Sequence, residues 1–103
     1  MPALARFPRE HRHTVTRHMA ALAMQLHDAL IAARHTSETG RMAALNTADL
    51  RLDQLRQYGL LAYEWQWWSE GQYEHFSKLS LELGRLVGGW KRTAAARDSG
   101  PGD

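Results

Sequence analysis

Apolar residues recur at helical spacing along most of the chain. At 100° per residue, Val15, Met19, Leu22, Leu26, Ala29, Leu30 and Ala33 fall on one stripe. Ala48, Leu52, Leu55, Gly59 and Ala62 make a second stripe, and Phe76, Leu79, Leu83, Leu86 and Trp90 a third. The third set is spaced 3, 4, 3 and 4, the seam of antiparallel helix packing. The pattern predicts an all-α fold, an antiparallel up-and-down bundle of three long helices. The three prolines lie in the first eight residues or the final tail, so some ninety residues carry no helix breaker.

The predicted boundaries follow from local signals. Pro8 suits a first helical position and Glu10 the positive end of a helix dipole, so the first helix is expected over Pro8 to His35. Thr36 to Gly40 is polar and makes a turn. A second helix runs from about Arg41, or a little earlier, to Trp68, carried through Asn46-Thr47 by the Ala and Leu on either side. Ser69 followed three residues later by Gln72 has the spacing of a capping box, which starts the third helix near Glu70 and lets it run to about Arg92. Residues 1–92 read as one helical-bundle domain and 93–103 as a frayed polar tail.

The faces turned away from these stripes carry the functional content. On the first helix the outer side bears Arg9, His13 and Arg17, then a second apolar strip of Ala20, Met24, His27 and Ile31. The second helix is apolar nearly all round from Tyr58 to Trp68, more than one core can cover. Met24, Ile31, Leu61, Trp65 and Trp68 are therefore expected at an interface between copies of the chain, because excess apolar surface marks contact sites. The indoles of Trp65, Trp67 and Trp68 fit packing better than base stacking. Gly84 and Gly88, costly inside a helix, point to close approach of a neighbouring helix. Lys78, Arg85 and Arg92, seven apart, form a basic ridge.

Composition narrows the chemistry. A chain of 103 residues is the size of one domain, with no apolar run of membrane-span or signal-peptide length, and is expected to be soluble and cytoplasmic. Without cysteine there is no disulfide, thiolate zinc site or cysteine nucleophile. His11 and His13 diverge by about 200° on a helix, and no metal-binding His/Glu spacing occurs. His11 and His18 read as hydrogen-bonded packing residues and His13 as a surface residue. No catalytic constellation, metal site or cofactor is expected. Residues 1–35 hold 5 Arg against 2 acids, 36–75 hold 3 against 6, and 76–103 hold 5 basic residues against 3 acids. The candidate nucleic-acid contacts are thus Arg9, Arg12, His13 and Arg17 on the first helix, and Lys78, Arg85, Lys91 and Arg92 on the third. Basic residues are mostly arginine, whose planar fork matches phosphate oxygens.

Three fragments together resemble a known family: Phe7-Pro8-Arg9-Glu10-His11-Arg12, Leu52-Asp-Gln-Leu-Arg56, and Gln72-Tyr73 with Gly84-Arg85-Leu86-Val87-Gly88-Gly89-Trp90. The family is that of the accessory variability determinant proteins of diversity-generating retroelements, a branch of the helical-bundle group that includes the ribosomal RNA intervening-sequence proteins. The resemblance implies a four-helix-bundle protomer, a pentameric barrel and no catalytic centre. It also implies binding to a reverse transcriptase and to RNA or DNA, in support of mutagenic copying of a template repeat. Members carry a helix ahead of the F-P-R segment, where this sequence has six residues before Phe7, so that helix is expected to be short or absent, or the true start to lie upstream. They also carry a basic residue where this chain has Leu60. The competing expectation is an oligomeric helical-bundle module with protein partners only.

Overall fold

The computed structural model describes residues 2–98, with side chains over 11–96. Three α-helices follow one another, α1 (Pro2–His35), α2 (Glu38–Glu64) and α3 (Glu70–Asp98), packed antiparallel, and the described residues include no strand. α1 opens on Pro2, not Pro8; either proline suits a first helical position, and Ala3, Leu4, Ala5 and Arg6 between them are good helix formers. Only Thr36 and Ser37 separate α1 from α2. Arg41 closes this turn, donating from Nε to the Ala33 carbonyl at 2.9 Å and from Nη2 to the Thr36 carbonyl at 3.3 Å. A cation thus occupies the end of α1, where carbonyls lack helical partners.

The second connection is reached sooner than the sequence pattern predicts. α2 stops at Glu64, before the tryptophans, because Gln66 takes a positive φ of 62°. The Gln66 N–H donates to Tyr63 and the Trp67 N–H to Ala62, the paired bonds of a Schellman ending with glutamine where glycine is usual. A few residues on, the expected capping box is present. The Gln72 N–H donates to Ser69 Oγ at 3.1 Å, and the Ser69 N–H to Gln72 Oε1 at 2.8 Å. α3 then continues past the expected Arg92 to Asp98, and Ala94 is buried.

The predicted stripes of α1 and α2 form the core. Leu22, Leu26, Ala29, Ala48, Leu52, Leu55 and Val87 make one buried cluster, and Ala33, Leu45 and Ala94 a second toward the α1–α2 turn. The α3 seam departs from expectation. Leu79 and Leu86 are 51% and 70% exposed, while Ser80, Val87 and Ala94 are buried. The inward face of α3 therefore runs through Phe76, Ser80, Leu83, Val87, Trp90 and Ala94, turned toward smaller residues that let α2 come close. Gly59 serves the same packing, since a Cβ there would collide with the Phe76 ring.

α1 packs on α2 and α2 on α3, but among the described residues the backbones of α1 and α3 do not come close to each other. In cross-section the helices make a V with α2 at the vertex. Its opening is an apolar groove of about 400 Å³, floored by Leu52 and Leu55 and walled by Leu26 and Leu30 on one side and Phe76 and Leu83 on the other.

Candidate nucleic-acid interface

The ridge on α3 is as the spacing predicts. Lys78, Arg85 and Arg92 are all exposed on the side away from Val87 and Leu83. At 1.5 Å per residue they stand about 10.5 Å apart and span roughly 21 Å, close to six base pairs of duplex rise. Lys91 does not join them. It is half-buried and pairs with Asp49 of α2 at 3.3 Å, so its charge ties two helices together. On α1, Arg12, His13 and Arg17 are exposed, and the Arg9 side chain lies outside the described residues. Antiparallel packing sets this α1 cluster level with the start of α3. The two basic regions sit on the two arms of the V, separated by the groove.

The expected interface residues divide. Met24 and Ile31 are 63% and 42% exposed on the outer face of α1. Leu61, Trp65 and Trp68 are half-buried at the end of α2 and in the turn that follows it. There Trp68 tilts against Phe76 with centroids 4.9 Å apart, and Trp65 meets Trp67 edge-on at 5.4 Å. Tyr63 stacks on Tyr73 at 4.5 Å across the α2–α3 corner. The tryptophans pack, as their place in an apolar run predicts. His18 is exposed and set edge-on to Tyr58 at 5.0 Å, while His11 is half-buried. No group of three or more His, Asp or Glu among the described residues could hold a metal ion. No helix among them is long and apolar enough to cross a membrane.

One polar lock is absent from the sequence expectations. Arg56 is half-buried and donates from Nη2 to the Ser80 carbonyl at 2.9 Å, passing over Gly84, where a Cβ would strike the guanidinium. Leu52 lies against the same glycine. The Leu52–Arg56 and Gly84–Trp90 fragments, distant in sequence, are thus two halves of one contact. Gly84 does accommodate a neighbouring helix, through its arginine side chain. Gly88 faces only Arg92 of its own helix, and the close approach expected there is absent. The pairing of a small residue on one stripe with an arginine at the edge of the facing stripe is the signal that could have found this lock.

The family model described as bAvd-like matches residues 1–94 of the chain. Neither the curated proteins nor the solved structures contain a match.

Proposed function

Because the chain belongs to the bacterial accessory variability determinant family, whose members are accessories of diversity-generating retroelements, we propose that it is a non-catalytic cytoplasmic subunit that binds the element's reverse transcriptase and RNA or DNA. In this role it supports mutagenic copying of a template repeat. It works as a homo-oligomer, with a pentamer favoured by the resemblance.

The observation that carries the reading is the exposed row of Lys78, Arg85 and Arg92, none of which is held by an ion pair or hydrogen bond among the described residues. Arg12, His13 and Arg17 supply a second patch, with Arg9 on the same helix. Net charge of +2 is small, so affinity comes from local clustering repeated by symmetry, not from the overall field. Contacts of this kind grip phosphates and carry little base preference.

Replacing Arg85 and Arg92 together by Ala tests it. Both point away from the core, so helix content by circular dichroism stays the same. Binding to a mixed-sequence RNA should weaken for all sequences alike. The slope of log affinity against log salt should flatten by roughly 0.7 to 0.9 for each phosphate that the variant no longer grips. Unchanged affinity and slope in this variant, and again on replacing Arg9, Arg12 and Arg17, would leave the protein-only bundle as the better account.

A further inference from the structure

We propose that the outer face of α1 is a docking strip for one helix of a different protein, a helix apolar in its middle and acidic at both ends. The inference rests on the protein-partner part of the reading above and adds which surface meets that partner and what the partner presents there. The second apolar strip of α1 is not absorbed by the core. Ala20, Met24, His27 and Ile31 follow one another at spacings of 4, 3 and 4. The same rhythm runs on through Arg17 to His13 at one end and to Arg34 at the other. All these side chains are exposed, Met24 by 63%, with His27 at the rim of the groove. The row extends about 30 Å along the helix, on the side away from the buried Leu22, Ala29 and Ala33. Among the described residues only α2 brings its backbone close to α1, and it packs on that buried side.

The order of side chains along the strip decides what fits. Beside its middle stand Thr14 and Ala21 on one flank and Thr16 and Ala23 on the other. Flanks this slight let a second helix settle close, with its own ridge against Ala20 and Met24. They also lack the rows of Lys and Arg by which an interfacial helix holds a lipid surface. Both ends are cationic, through Arg17 and Arg34. Asp28, the only carboxylate among the described side chains of α1, lines a hollow shared with Arg51 of α2. Two copies of the strip bring like charges together in either direction. Parallel pairing sets Arg17 on Arg17 and Arg34 on Arg34; antiparallel pairing about Met24 sets Arg34 beside His13 and Arg17 against Ile31. The back of α2 from another copy fits no better, since Asp53 and Gln57 stand between its exposed Leu50 and Leu60, where the strip is apolar. Carboxylates at the two ends of an otherwise apolar ridge answer both arginines, and that arrangement sets register as well as partner.

Met24→Gln combined with Ile31→Gln is the test, because glutamine keeps the helix and adds no charge. Helix content by circular dichroism and mass by light scattering should match the wild type. With nuclease-treated proteins, the retroelement's purified reverse transcriptase should bind this variant about tenfold or more weakly, while affinity for a mixed-sequence RNA stays the same. Arg17→Gln combined with Arg34→Gln should weaken the same association at low salt, and its difference from the wild type should shrink at high salt as the end charges are screened. Equal binding of the polymerase by the wild type and the Met24, Ile31 variant would overturn the strip and leave the protein-partner reading standing. No binding by the wild type would remove both. An Arg17, Arg34 variant that binds as tightly as the wild type would overturn the acidic ends. In the Met24, Ile31 variant, loss of the wild-type oligomer would make the strip a contact between copies, and loss of RNA affinity would make it a nucleic-acid contact. Flotation of the wild type with phosphatidylglycerol vesicles that the variant no longer shows would make it a lipid contact. Each of these three results would overturn the proposal.

Discussion

Gln66 sits where helix endings favour glycine, with φ at 62°, a region that costs an L-residue roughly 1–2 kcal/mol. Gln66→Gly removes that cost and gives back part of it as unfolded-chain entropy. We expect a net gain of about 0.5–1 kcal/mol, read as a higher urea midpoint with an unchanged m-value. Nothing in the sequence marks this stop. Between Tyr58 and Trp68 there is no proline, and the one glycine, Gly59, is buried under Phe76 and does not end a helix. The apolar run therefore reads as helix to its last tryptophan. Ser69 and Gln72, by contrast, declare their reciprocal bonds by spacing alone, and the structure makes both of them. A cap written in side chains is legible; one written in backbone geometry at an ordinary residue is not.

At the level of the helix, periodicity locates all three elements but does not fix the rotation of the third. Leu79 and Leu86 outrank Ser80 and Ala94 in hydrophobicity, so the pattern places them in the seam. The actual seam is chosen by proximity, because Ser80 and Gly84 leave room for Arg56 to cross from α2. α1 and α2 raise no such conflict, since their large apolar residues and their close contacts share one side. The difference is measurable. Leu52→Ala, at a side chain 2% exposed, should destabilise by about 2–5 kcal/mol, whereas Leu86→Ala, at 70% exposure, should stay within about 0.5 kcal/mol in chemical denaturation of the monomer. Similar losses at the two sites would mean that the rotation of α3 described above is wrong.

For the whole molecule, the exposed basic residues of α1 and α3 are legible in the sequence, because charge opposite an apolar stripe is solvated unless a partner reaches it. Lys91 is not, as its partner Asp49 lies 42 residues away and only packing brings the two together. The open groove is half legible: the excess of apolar surface is visible, its place between two arms is not. If association covers that surface, the folded state is stabilised by mass action. Thermal midpoints should then rise with protein concentration across a wide dilution series, and a constant midpoint would point to a self-sufficient monomer. The V has one more consequence, for the order of events in folding. Among the described residues close backbone approach joins only helices that are neighbours in sequence, α1 with α2 and α2 with α3, across connections of two and five residues. Among the described residues no close backbone pairing of the first and last helices has to wait for a long loop to close. The chain can therefore zip from either hairpin, and a topology so local belongs among those that fold in microseconds to milliseconds. A newly made protomer would complete its own shape well before it meets any partner.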